Sequence, residues 1–208
     1  MGVILLFRPD RTRVSRGYIL FDVDLLPQGK TMSQHEKTLA DGCVSLIGMA
    51  AAGKTTIGKV LSSILHWPAV DADNFIESIY GAPLQKITDV LSKDDFLDVE
   101  SQAICGLRIK RCVISTGGSV VYREATMRHL ASLGPIIYLD VSLPIILERI
   151  KRKPDRGLAI APGQTIEDLY NERAKLYSQY ATWTVKAGER PPQEYAGAIA
   201  DWLREKYV

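Results

Sequence analysis

Cysteine is scarce in this chain: Cys43, Cys105 and Cys112 are the only three in 208 residues. The number is odd, no C-x-x-C occurs and no histidine stands at ligand spacing. A disulfide framework and a zinc ribbon are thereby excluded. The three are expected to be reduced, small apolar residues buried in a cytoplasmic protein. His35, His66 and His129 are scattered and read as surface or satisfied residues. No apolar run approaches the roughly 20 residues of a membrane span. Val3–Phe7 is a short apolar stretch, below the roughly 7–15 residues of a secretory core, and no small-residue cleavage site follows. Gly2 invites a myristoylation reading, but Leu6 stands where Ser or Thr is required. Charge excess is missing as well. With 26 Lys+Arg against 24 Asp+Glu the net charge is +2, too balanced for nucleic acid or an anionic membrane as main partner. There is no basic stripe, internal repeat or low-complexity segment. The H-R-D and D-F-G signatures of protein kinases are absent.

What remains is an ordinary globular composition, 46% hydrophobic, in a chain long enough for one full core and an appendage. Residues 1–41 carry Arg8, Arg11, Arg13, Arg16, Pro9 and Pro27 and no sustained period. They are expected to be an N-terminal extension, mobile or preceding a true start near Met32. From residue 42 to 208 apolar runs alternate with helical patterns. Strands are predicted at 43–48, 68–73, 112–116, 135–140 and 181–186. Helices are predicted at 54–65, up to about 109, at 123–133, 144–153 and 165–180, and at the C-terminus with Ala196, Ile199, Trp202 and Leu203 on one face. Such alternation predicts an α/β, three-layer sandwich with a five-stranded parallel sheet. Ligands then gather at the carboxyl ends of the strands. The stretches 48–56, 71–73 and 116–119 all fall there.

The first of these, GMAAAGKTT, fits G-x-x-x-x-G-K-[ST] at Gly48, Gly53, Lys54 and Thr55. Glycines let backbone N–H groups turn inward around phosphate, and the following helix adds its dipole. Lys54 reaches the β- and γ-phosphates, and Thr55 ligates Mg²⁺. Asp71 and Asp73 follow at i, i+2. In an extended strand end they would point the same way, one toward the Mg²⁺ hydration shell, the other toward an acceptor hydroxyl. Read alone, Asp73 would serve as a helix N-cap and Asp71 as a surface acid. Thr165-Ile166-Glu167-Asp168 reads as a capping box.

Taken in order, these motifs resemble the shikimate kinase family, a branch of the nucleoside monophosphate kinase-like P-loop proteins, over residues 43–206. DADNFIE resembles the family's D-x-D. FLDVE (96–100) stands for F-R-x-x-E, and STGGSV (115–120) for a triple-glycine loop. DRGL (155–158) stands for the lid's Arg-Pro-Leu-Leu. ERAKLYSQYA (172–181) resembles the helix bearing a substrate-binding arginine, and GERPP (188–192) falls at the adenine-side loop. The resemblance implies an ATP-dependent, Mg²⁺-requiring kinase of a small-molecule hydroxyl. Gly48, Met49, Ala50, Ala51, Ala52, Gly53, Lys54, Thr55 and Thr56 would hold the phosphates, with Arg149 and Pro191 flanking adenine. Thr55 and Asp71 would hold the metal. Lys54, Asp73 and Arg156 would be catalytic, Arg156 from a mobile lid at about 154–163. Asp73, Gly117, Gly118 and Arg173 would bind the acceptor.

The departures lie on the acceptor side. Leu97 replaces an arginine, Ser119 replaces the third glycine, and the lid lacks Pro-Leu-Leu. Losing a charge-assisted contact costs roughly 1.5–3 kcal/mol. The expected acceptor is therefore L-homoserine, with Asp98 as the acid for its ammonium. Shikimate is the second reading, if another basic residue replaces the missing one, and gluconate a third. A nucleotide-binding regulator without turnover is the alternative of a different class. The oligomeric state is left open, with a monomer favoured.

Overall fold

The computed structural model describes residues 14–15, 18–19, 41–152 and 163–207. The chain divides into two units, Met1–Glu36 and Lys37–Val208. In the first, β1 (Val14–Ser15) pairs antiparallel with β2 (Tyr18–Ile19). The rest of the predicted extension lies outside the described residues.

The second unit holds a five-stranded sheet ordered β4-β5-β3-β6-β7, every pair parallel. Its strands are β3 (Val44–Ile47), β4 (Ala69–Asp71), β5 (Val113–Ser115), β6 (Ile136–Val141) and β7 (Trp183–Ala187). All five were expected, each bound within one or two residues of its predicted position. Every residue of β3 and β5 is buried, as a central strand covered on both faces requires. The outer strands β4 and β7 are more exposed.

Among the described residues eight α-helices surround this sheet. α1 (Lys54–Leu65) leaves the phosphate loop and packs on α8 (Pro192–Tyr207). α8 buries Ala196, Ile199 and Leu203, and its Trp202 stacks on Trp183 with centroids 5.1 Å apart. The helical stretch before β5 is three helices: α2 (Ala72–Tyr80), α3 (Leu84–Val90) and α4 (Lys93–Cys105). Gly81 in the left-handed region, Pro83 and the Ser92 N-cap punctuate them. α5 (Glu124–Leu133), α6 (Leu143–Lys151) and α7 (Ile166–Tyr180) complete the set. Thr165 caps α7 and Asp168 returns the bond, so the capping box is present. Cys43 and Cys112 are buried and Cys105 half-buried, all as free thiols. Among the described residues no helix is long and apolar enough to cross a membrane.

Candidate active site

The phosphate loop bridges β3 and α1. Its backbone needs glycine: Gly48 has φ 143 and Gly53 φ 97. A Cβ at Gly48 would sit 2.8 Å from the Leu139 carbonyl. Ala51 also adopts a positive φ of 65, a strain of about 1 kcal/mol that such loops tolerate where function shapes them. The buried Lys54 ammonium donates to the carbonyls of Gly48 (2.7 Å) and Met49 (2.8 Å), which holds it against the loop.

Beside it, the Thr55 hydroxyl donates to Asp71 Oδ2 at 2.6 Å. The other oxygen of Asp71 accepts from the backbone N–H groups of Asp73 and Asn74. Asp71 is therefore the last strand residue and the N-cap of α2. The expectation that both carboxylates lie on an extended strand end is corrected here. The chain turns helical at Ala72, so Asp73 sits in the first turn of α2, and Asp71 takes the capping role weighed for Asp73. Both still line one cavity of about 420 Å³ with Ala50, Ala51, Gly53, Lys54, Thr55 and Thr56.

The same cavity reaches Thr116, Gly117, Gly118 and Ser119 beyond β5, Phe96 on α4 and Arg173 on α7. Arg173 is 1% exposed. Its Nε donates to the Tyr122 hydroxyl at 3.2 Å, and its guanidinium lies over the Tyr122 ring. The Tyr177 hydroxyl donates to the Gly118 carbonyl at 2.5 Å. The two glycines separate opposite charges. A Cβ on Gly117 would fall 3.1 Å from Asp73 Oδ1, and one on Gly118 would fall 3.0 Å from Arg173 Nη1.

Behind Gly117 stands Glu100, 2% exposed. A Cβ on Gly117 would meet its Oε1 at 2.0 Å, so any larger residue there would push the Glu100 carboxyl aside. Glu100 Oε2 accepts from the Ser119 hydroxyl at 2.8 Å, while Oε1 has no hydrogen-bond partner among the described residues. Burial pushes this carboxyl up to about 7. The Ser119 bond opposes the rise, and the Asp73 charge adds to it.

A second cavity, about 260 Å³, opens on the other side of the loop between Ala51, Ile57, Arg149, Gly188, Pro192 and Tyr195. Arg149 bridges its walls, donating to the Ala51 carbonyl at 3.2 Å and to that of Gly188.

A family model described as shikimate kinase matches residues 50–204. The chain belongs to the shikimate kinase family. A shikimate kinase of Aquifex aeolicus is 34% identical over 75% of this chain and 92% of that protein. One of Pasteurella multocida is 35% identical over 77% and 94%. Among solved structures, shikimate kinase from Acinetobacter baumannii in complex with shikimate has a TM-score of 0.75 at 26% identity, covering 80% of this chain and 95% of that one. The fold is thus that of the P-loop kinases, and the chain is an ATP-dependent kinase of a small-molecule hydroxyl.

Within the family frame, Ala50, Ala51, Gly53, Lys54, Thr55, Thr56, Asp71, Asp73, Gly117, Gly118, Ser119 and Arg173 line one cavity and Ala52 and Arg149 the neighbouring one, while Gly48 and Met49 line neither and hold Lys54 through their carbonyls. Arg156 and the lid up to residue 162 lie outside the described residues. Three expectations are corrected. Pro192, the first residue of α8, lines the second cavity where Pro191 was expected. Leu97 is buried and does not line the acceptor cavity; Phe96, one residue earlier, does. Asp98 is more than half exposed and pairs with Arg123 at 2.8 Å, since its step of about 100° around α4 turns it out of the cavity. With Asp98 committed elsewhere and shikimate kinases as the relatives, homoserine as acceptor loses its support and shikimate gains it. Glu100 and Tyr122 escaped the sequence reading. Glu100 was visible only as the last letter of FLDVE, and nothing local marked Tyr122.

Proposed function

We infer that residues 42–208 form a kinase domain that transfers the γ-phosphoryl group of ATP to a hydroxyl of shikimate. One observation carries this reading: the Asp73 carboxylate and the Arg173 guanidinium flank consecutive glycines, 117 and 118. Consecutive Cα atoms are about 3.8 Å apart. A compact hydroxy acid therefore spans the two, hydroxyl at Asp73 and carboxylate at Arg173. The shikimate-bound relative agrees with that class of acceptor.

In this reading Asp73 takes the proton of the acceptor hydroxyl as its oxygen bonds to the γ-phosphorus, and the bond to the β-phosphate oxygen breaks to leave ADP. Lys54 stabilises charge on the transferring group; Arg156, outside the described residues, would add to it. Thr55 and Asp71 offer hard oxygen donors 2.6 Å apart at the cavity wall, a donor set that suits Mg²⁺ keeping most of its waters. When bound, that ion would neutralise phosphate charge. Arg149 and the Pro192–Tyr195 wall would take the adenine.

The test is ADP release with ATP and Mg²⁺ against shikimate, L-homoserine, gluconate and no acceptor. Shikimate should give the highest kcat/KM. A homoserine preference would overturn the acceptor assignment, and ATP binding without turnover on any acceptor would make the chain a regulator.

A further inference from the structure

Among the described residues the acceptor cavity is lined by one guanidinium, Arg173, and one ammonium, Lys54; a further cation, Lys93, stands close to Arg173 without lining the cavity. Lys93 Nζ lies 5.2 Å from the centre of the Tyr122 ring, and Arg173 Cζ lies 5.1 Å from the same centre. The two charges are therefore no more than about 10 Å apart. Lys93 is the first residue of α4. It precedes the cavity-lining Phe96 by three positions and Leu97 by four, so all three share one helix face. Among the described residues it has no ion-pair partner. The acids nearby are engaged: Asp94 and Asp98 with Arg123, Asp95 with the Ser92 hydroxyl, and Glu172 with Gln164 and the Tyr122 hydroxyl. A lysine at a helix N-terminus opposes the dipole. The cation–π contact with the Tyr122 ring offsets part of that cost, and a carboxylate facing both the helix end and the ring would offset more.

We propose that Lys93 is a specificity-determining residue that, with Arg173 across the Tyr122 ring, binds the carboxylate of the acceptor and replaces the charge absent at Leu97. The inference rests on the reading of the acceptor as a hydroxy acid. Its four-carbon stem lets the ammonium move from the ring toward a carboxylate held by Arg173. Cation–π contact with Tyr122 would store it there between turnovers.

The experiment compares wild type, Lys93→Gln and Lys93→Arg on the acid that the wild type phosphorylates best, and on the methyl ester of that acid. Lys93→Gln should raise the acceptor KM roughly three- to tenfold, with kcat and the KM for ATP within about twofold. Lys93→Arg should restore most of the loss. The ester should be used equally by wild type and Lys93→Gln. An equal loss on acid and ester, or an unchanged KM, overturns the proposal. If the preferred acid is not shikimate, the functional assignment falls while the Lys93 comparison still runs on that acid. If none is turned over, calorimetry of the same acids decides: equal affinity for the two proteins, or no binding, overturns it.

Discussion

Replacing Glu100 with glutamine should flatten part of the pH dependence of folding. The carboxyl is 2% exposed, has one oxygen bonded to Ser119 and the other unpaired among the described residues, and is pushed up from 4.5 to about 7, mainly by burial. A raised carboxyl pKa means that the folded state holds the proton more tightly than the unfolded chain. Its contribution is complete below the unfolded value of 4.5 and is lost as pH rises through about 7. At 1.36 kcal/mol per unit, the loss between pH 5 and pH 8 is about 2–3 kcal/mol. Glutamine has the same shape, can accept from Ser119 and cannot ionise. The gap in unfolding free energy, variant minus wild type, should therefore widen by about 2–3 kcal/mol over that range, measured by urea titration at half-unit steps. Parallel curves would refute the argument, because Glu100 would then be ionised in the folded protein at every pH tested. The acceptor KM is a second readout. It should climb above pH 7 in wild type, as Glu100 charge offsets Arg173, and stay level in the variant.

Lys54→Ala and Asp73→Asn should each abolish ADP release with near-native melting; appreciable turnover in either would remove its catalytic role. Ser119→Gly should cost about 1–2 kcal/mol by leaving both Glu100 oxygens without a donor, and should move the pH of the stability loss upward, since Ser119 holds that carboxyl down. Leu97→Arg places a guanidinium at i, i+3 from Glu100. It should raise kcat/KM for shikimate about tenfold and shrink the pH-dependent loss of stability; an unchanged acceptor ranking would show that position 97 does not reach the site.

The phosphate-handling half was legible from residue order. Gly48, Gly53, Lys54 and Thr55 act through a continuous backbone, whose glycines, dipole and lysine reach the same anion because they are neighbours in the chain. The alternating apolar runs likewise announced the parallel sheet, because a strand buried on both faces must be apolar along its length. Asp71 and Asp73 were found for a partly mistaken reason, as the turn into α2 depends on the Asp71 cap. The acceptor half was decided by tertiary structure. Glu100 and Lys93 on α4, Ser119 and Tyr122 after β5 and Arg173 on α7 meet across as many as 80 positions of sequence. Whether a charge on an amphipathic helix faces water or a cavity turns on a rotation of about 100° per residue. That rotation set Asp98 on Arg123 and Glu100 beneath Gly117, and only the packing of α4 against the loop after β5 determines it.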